Sequence, residues 1–340
     1  MNLERYGWSA IFVRAFAEWK ASGHRAGRAI AVWSNGCRAM TELGEVDAAL
    51  PGRAMELAVG DWLALEPEAN RIAEVLPRKT VLARRQPGQA LARQVLAANL
   101  DVLLIVTGVD GDFSLHRIER YLVLAEQCGA EPAIVLSKAD LLNESGRDAA
   151  LDSVRGASPG VPVVLWSAWD PTGPGALSEI VQPRRTGALV GSSGVGKSTM
   201  VNVLLGREAL RTQAVREDDS RGRHTTTHRE LFLLPQGWLL IDMPGMREVA
   251  LWADEDAVEA VFDDLQQIAA GCRFRDCTHR GEPGCAVAAA VERGDITPDR
   301  VAHFHQLRAE VAATDELARK RRDRVLGRSQ RQLYRRGPKW

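Results

Sequence analysis

The residues Gly187 to Met200, GALVGSSGVGKSTM, carry the plainest chemistry in the chain. The apolar run Ala188-Leu189-Val190 ends in Gly191-Ser192-Ser193-Gly194-Val195-Gly196-Lys197-Ser198, and a helix-compatible segment follows from Thr199 to Leu205. This is G-x-x-x-x-G-K-[ST] between a strand and a helix, a phosphate cradle. Its glycines let successive backbone N–H groups curl around phosphate oxygens, and the following helix points its positive end at the same anion. Lys197 is placed to reach the β- and γ-phosphates, and the Ser198 hydroxyl to ligate magnesium. The chain is expected to bind a nucleoside triphosphate.

Further polar groups lie where apolar runs end. Pro132 to Leu136 is followed by Ser137-Lys138-Ala139-Asp140, and Val161 to Leu165 by Trp166-Ser167-Ala168. In open α/β folds ligands meet the carboxyl ends of strands. S-K-A-D matches the guanine-recognition motif N-K-x-D of GTPases, with Ser137 where asparagine is usual. The Asp140 carboxylate would accept from the ring N–H and the exocyclic amine of guanine, a donor pair that adenine lacks. The stem of Lys138 would cover one face of the base, and Ser167-Ala168 would offer a backbone N–H to its oxygen. After the phosphate loop comes a polar stretch, Arg207 to Arg229, holding Arg221-Gly222-Arg223-His224-Thr225-Thr226-Thr227. Thr226 is expected to close on magnesium and the γ-phosphate and to let go after hydrolysis. Trp238 to Ile241 then ends in Asp242-Met243-Pro244-Gly245, a D-x-x-G element: Asp242 would hold magnesium through water, and the Gly245 N–H would sense the γ-phosphate. Met246 cannot orient an attacking water as a glutamine there would. His224 is the candidate substitute, and an exposed loop histidine is its plain alternative.

A separate constellation follows at Cys272, Cys277, His279 and Cys285, spaced C-x4-C-x-H-x5-C. Three soft thiolates and an imidazole form a Cys3His set for tetrahedral zinc. All four positions are filled by protein, so the site is expected to be structural.

The elements that must position these groups are legible as patterns. Residues 1 to 20 space Leu3, Tyr6, Trp8, Phe12, Phe16 and Trp19 as a short docking helix would. From about Arg28 to Leu76, short runs alternate with turn signals, among them Ala29–Trp33, Ala54–Leu57, Trp62–Leu65 and Ile72–Leu76, predicting a small β-barrel. A five-stranded OB-type barrel fits this length. Pro77 to Gln89 reads as a linker, in which Arg78, Lys79, Arg84 or Arg85 either contacts phosphate or is merely solvated. Leu100–Val106 and Pro132–Leu136 read as buried parallel strands with a helix between them from Leu115 to Cys128. Asp254 to Ala270 and Thr297 to Arg324 read as helices. Three domains are expected: 1–85, an N-terminal segment and barrel; 86–252, the nucleotide-binding domain; and 253–340, a helical zinc-binding domain with a basic tail.

Composition bounds the rest. The 340 residues carry 44 Lys+Arg against 44 Asp+Glu, so no global field draws the chain to nucleic acid or membrane. Charge is uneven, however: ten Lys/Arg face two acids from Glu316 to Trp340, favouring RNA phosphate as a partner of the tail. No apolar run is long enough to span a bilayer, and no export signal precedes the five cysteines, so a cytoplasmic protein is expected. Cys37 and Cys128 read as ordinary buried thiols.

Ordinary GTPases place the phosphate loop first and base recognition last; here base recognition comes first. Such a circular permutation keeps one site under a new chain order. That order, the G-R-H-T-T-T run, the D-x-P-G element, a preceding barrel and a following C-x4-C-x-H-x5-C together resemble the ribosome small-subunit-dependent GTPase A family (RsgA) over nearly the whole chain. The resemblance implies an α/β fold: a circularly permuted P-loop GTPase domain between an OB-type barrel and a helical zinc domain. It implies GTP hydrolysis stimulated by the 30S subunit, late small-subunit maturation, 16S rRNA as partner, and magnesium with GTP. The family usually has asparagine at the position of Ser137, tying the base loop to the phosphate loop, so Ser137 is expected to loosen guanine binding. The rival readings are a P-loop RNA-binding ATPase and an RNA-binding scaffold with a non-hydrolysing site. A monomer is expected.

Overall fold

The computed structural model describes residues 2–52, 55–86, 89–111, 113–206, 229–243, 253–313 and 316. The chain divides into two compact units, Met1–Ala83 with Val95–Val249, and Arg84–Gln94 with Ala250–Trp340.

The first unit begins with a 3-10 turn, Leu3–Tyr6, and two short helices, α1 (Ala10–Ala15) and α2 (Ala17–Ala21), where one helix was expected. Their aromatic side dries the barrel wall: Trp8 and Phe12 stand 4.7 and 5.5 Å from the fully buried Trp62 ring. The barrel strands are β1 (Arg25–Trp33), β2 (Gly36–Thr41), β3 (Gly44–Ala49), β4 (Trp62–Leu65) and β5 (Ile72–Val75). β1 pairs with β2 and β4, β2 with β3, and β4 with β5, all antiparallel. A parallel bridge from Ala49 to Arg71 closes the ring in the order β1-β2-β3-β5-β4, the OB arrangement. Ala29, Cys37, Leu63, Leu65 and Ile72 fill its core. The strand expected at Ala54–Leu57 is irregular over the described residues 55 to 57, whereas β2 and β3 were not anticipated. On β3 the outward positions are Glu45, Asp47 and Ala49, so half of a short strand reads as a polar turn.

Pro77 to Gln89 is likewise more than a linker. β6 (Val81–Gln86) and β7 (Gln89–Ala98) form a two-stranded sheet, with Leu82 wholly buried. Three of its cations have partners: Arg78 clamps the buried Asp61 at 2.7 and 2.9 Å, Lys79 pairs with Asp101 at 2.7 Å, and Arg84 meets Gln94 at 3.2 Å, while the Arg85 side chain lies outside the described part of the structure.

The nucleotide-binding half is built on β8 (Val102–Gly108), β9 (Glu131–Ser137), β10 (Val163–Leu165), β11 (Thr186–Val190), β12 (Glu230–Leu233) and β13 (Leu239–Asp242). They lie in the order β10-β9-β8-β11-β13-β12, parallel throughout except for β12. β8 and β11 are buried along their whole length, which is why they read as unbroken apolar runs. Helices α3 (Leu115–Cys128), α4 (Glu144–Ala157), α5 (Gly173–Val181) and α6 (Lys197–Leu205) follow β8, β9, β10 and β11 respectively. β12 also pairs antiparallel with barrel strand β1 at Ala31 and Glu230, so barrel and parallel sheet are one hydrogen-bonded sheet.

In the second unit the helix expected from Asp254 to Ala270 breaks into α7 (Glu255–Val261) and α8 (Asp263–Ala269). The break is at Phe262, a wholly buried ring 5.4 Å from Phe304. Then come α9 (Ala286–Arg293) and a helical stretch over 298–313, begun by a Thr297 hydroxyl that accepts from the Arg300 N–H. Val301, Phe304, Leu307 and Val311 turn inward from this stretch, at the spacing the sequence predicts. Among the described residues no helix is long and apolar enough to cross a membrane.

Candidate functional site

Strand β11 delivers the phosphate loop from the centre of the parallel sheet. Gly191 leaves the strand at φ +145°, where a Cβ would collide with the Val106 carbonyl oxygen. Gly194 and Gly196 are left-handed at φ +83° and +96°, a conformation that glycine adopts without penalty. Gly196 is also the N-cap of α6 and gives it no side-chain cap, so the first N–H groups of that helix stay available to an anion. The Lys197 ammonium arches back over the loop and donates to the carbonyls of Gly191 and Ser192 at 2.7 and 2.6 Å. Ser193 and Ser198 are exposed at this mouth, with Thr199 beside them half-buried. Asp242 arrives from the end of the neighbouring β13. Burial pushes its carboxyl above the ordinary range, and the Met243 N–H and the charge of Lys197 pull it back. A half-buried acid facing a phosphate-loop lysine suits a hydrated divalent cation.

The residues that the sequence predicts to recognise the base meet beside this loop. Ser137 ends β9, wholly buried, with its hydroxyl 2.7 Å from the Val195 carbonyl in the phosphate loop and 3.1 Å from that of Thr107. The smaller side chain therefore still joins base loop to phosphate loop. Lys138 turns left-handed at φ +61°, and its ammonium is held by Asp110 at 2.6 Å. The Ala139 N–H donates to the Trp166 carbonyl, fastening this loop to the one after β10. Across that seam the Ser167 hydroxyl donates to Asp140 Oδ1 at 2.7 Å, and Ala168 follows half-buried. The Ser167 hydroxyl thus holds the Asp140 carboxylate at the strand ends, where it stands exposed.

Sequence reasoning passed over two contributors. Asp110, past the end of β8, sets the Lys138 ammonium, and Arg147 Nε holds the Ala139 carbonyl from α4 at 3.0 Å. Asp110 had a usable signal, a carboxylate just beyond a buried strand next to the phosphate-loop strand; Arg147 on a polar helix had none. His224, Thr225, Thr226, Thr227, Pro244, Gly245 and Met246 lie outside the described residues.

The metal-ligand cluster belongs to the second unit. The ligand atoms of Cys272, Cys277, His279 and Cys285 all lie within 4.8 Å of one another. His279 Nδ1 is 3.6 Å from the Cys272 sulfur and 3.7 Å from that of Cys285. Tetrahedral zinc, with bonds of about 2.3 Å to sulfur and about 2.0 Å to nitrogen, would hold S and N about 3.6 Å apart, so the donor set fits. Backbone N–H groups support two of the sulfurs: Ala286 points to Cys272, and Ala288 to Cys285, the N-cap of α9. His279 is left-handed at φ +61°, and burial lowers its basicity, which favours the neutral imidazole that a metal ligand requires. Glu282 braces the loop by accepting from the Thr278 and Arg280 N–H groups at 2.8 and 2.7 Å and from the Thr278 hydroxyl; these donors hold its carboxyl down at about 2. Cys37 and Cys128 are buried thiols remote from this loop in sequence, and burial pushes Cys37 up to about 12.

Comparison with known proteins meets this geometry from outside. Residues 75–252 match the family model described as RsgA GTPase. The chain is 42% identical over 355 residues to a small ribosomal subunit biogenesis GTPase RsgA from Opitutus terrae, covering 98% of this chain and 95% of that one. It is 49% identical over 259 residues to the protein of that name from Xanthomonas euvesicatoria, covering 76% and 70%. In three dimensions it resembles the crystal structure of YjeQ from Thermotoga maritima, with a TM-score of 0.64 at 26% identity over 85% of this chain and 99% of that one. The family-model match spans more than half of the chain and the Opitutus terrae relative matches it nearly end to end: the chain belongs to the RsgA GTPase family.

Proposed function

We propose that this chain is a GTP hydrolase of small ribosomal subunit biogenesis that docks on the 30S subunit, turns over faster there, and assists late maturation. The observation that carries the reading is the Ser167–Asp140 bond beside Lys138, next to the Ser137 hydroxyl that ties this loop to Val195 of the phosphate loop. The Asp140 carboxylate, open at the strand ends, selects guanine because adenine offers it no matching donor pair. An ATPase has no use for this arrangement.

Gly191 to Thr199 hold the phosphates, with Lys197 moving off its two carbonyls to reach the β- and γ-oxygens. Ser198 and Thr226 would hold magnesium, with Asp242 behind a water, and the ion would supply charge neutralisation for the phosphates. His224 orients the attacking water in place of the glutamine that Met246 replaces, and Gly245 senses the γ-phosphate. Zinc is the metal of the Cys272–Cys277–His279–Cys285 set, one per chain and structural. The basic tail beyond Glu316 binds 16S rRNA phosphates. The chain acts as a cytoplasmic monomer, with functional divisions at 85/86 and 252/253.

A turnover assay with and without 30S subunits tests the reading. Slow hydrolysis alone, at least about tenfold faster with 30S and abolished in Lys197→Ala, is expected from loss of the γ-phosphate contact. An unchanged rate with 30S, or ATP displacing labelled GTP at equal concentration, overturns it.

A further inference from the structure

Guanine needs more than its edge recognised, and the structure holds an unused side chain beside that edge. Trp169 is 85% exposed, the most exposed of the large apolar side chains among the described residues. Its backbone N–H donates to the Ser167 hydroxyl at 3.2 Å, and that same hydroxyl donates to Asp140. One oxygen therefore pins both the base-selecting carboxylate and the stem of the indole. Leu141, next to Asp140 in the chain, is also largely open, at 63%. Among the described residues, two of the six exposed large apolar side chains thus rim one recognition pair. Elsewhere around Asp140 the loops are tightly bonded, so this apolar rim is not a product of poor packing.

We propose that Trp169 stacks on the guanine base, on the face opposite the stem of Lys138. The inference rests on the guanine reading above and adds a second face to it. Lys138 is committed to one side by Asp110, which holds its ammonium. A purine laid against Asp140 would then be open to water on its other side unless something covered it. An indole two residues past Ser167 has the size and the flat π-face to do so, and stacking is indifferent to the phosphate end of the ligand. Base and indole would leave water together on binding, and the 85% exposure of the ring leaves its face open for that.

Titration of the full-length chain with a fluorescent GDP analogue, in Trp169→Ala and Trp169→Phe, is the test. Loss of the π-face in the alanine variant is expected to weaken GDP and a GTP analogue alike, by about tenfold, while phenylalanine stays within about threefold. GDP should also change tryptophan emission of the parent by a component that is missing from Trp169→Phe. Thermal melts should be unchanged, since the side chain is outside the core. The proposal fails if GDP binds Trp169→Ala as tightly as the parent and the emission change survives in Trp169→Phe. It fails equally if only the 30S-stimulated rate drops, because the indole then faces the subunit. A parent chain that binds no GDP at all would bring down the guanine reading itself, a result distinct from either.

Discussion

Between Cys272 and Cys285 three thiols and one imidazole lie within 4.8 Å of one another, and mostly local residues bring them there. His279 at φ +61° and Gly284 at φ +77° reverse the chain, and Glu282 ties three donors of the loop to one carboxylate. No contact from a distant strand is needed, so the spacing in the sequence already contained the centre. Replacing Cys277 with alanine leaves three donors, and the metal content should fall from about one zinc per chain to well below half. Metal analysis of the purified variant checks this; full retention would remove Cys277 from the ligand set. The nucleotide pocket is different at the same scale. Asp140 works through Ser167, and Lys138 through Asp110, partners 27 and 28 positions away that no spacing rule connects.

At the scale of elements, the segment after β5 shows what a linker reading misses. Arg78 sits between barrel and hairpin with its guanidinium on Asp61, whose side chain is wholly buried. Burial raises the Asp61 carboxyl above its ordinary range, and Arg78 is the leading influence pulling it back. In Arg78→Met the carboxylate loses that partner, and stability at pH 7 should fall by about 3 kcal/mol, as for other buried pairs broken on one side. The sign of the pH dependence follows. The variant's folded Asp61 pKa rises further above the unfolded one, so the penalty is absent below the unfolded pKa and grows as pH climbs through the folded one. Urea unfolding at pH 7 and near pH 4 should therefore show a large gap at pH 7 that narrows at pH 4. A constant gap would mean that Arg78 stabilises by packing alone.

At the scale of the whole molecule, the barrel and the nucleotide-binding sheet of the first unit are one structure. β1 adds to the β12 edge, and the buried Arg28 on β1 donates to Thr186 at the start of the phosphate-loop strand, to the carbonyls of Tyr6, Gly60 and Asn99, and stacks over Trp62. Burial lowers its pKa only to about 10, so it stays charged at neutral pH. Deleting residues 1–76 would uncover the β12 edge and orphan Asn99 and Thr186 together, and an uncovered edge invites pairing between chains. The shortened protein should emerge aggregated on size-exclusion chromatography; a monodisperse monomer that binds GDP would show the barrel to be dispensable for folding. The residues between α6 and β12 include Thr226, expected to close on the γ-phosphate, so the strand that carries the barrel follows directly on that residue in the chain.

The amino-acid sequence determined those features whose physics is local or periodic. The phosphate loop is one, because glycine placement and a following helix suffice; the Cys3His loop is another, because four donors close within one turn of chain. The buried strands β8 and β11 also declared themselves, since burial on both faces requires unbroken apolar runs. The order of motifs even disclosed the permutation. Only the tertiary structure decided what depends on pairing across distance. It turned a linker into β6 and β7, found β2 and β3 in polar-looking runs, joined barrel to sheet at Ala31 and Glu230, and let Ser137 reach Val195. Those outcomes come from hydrogen bonds between residues far apart in the chain, and a hydrogen-bond partner leaves no periodic trace in the sequence of either residue.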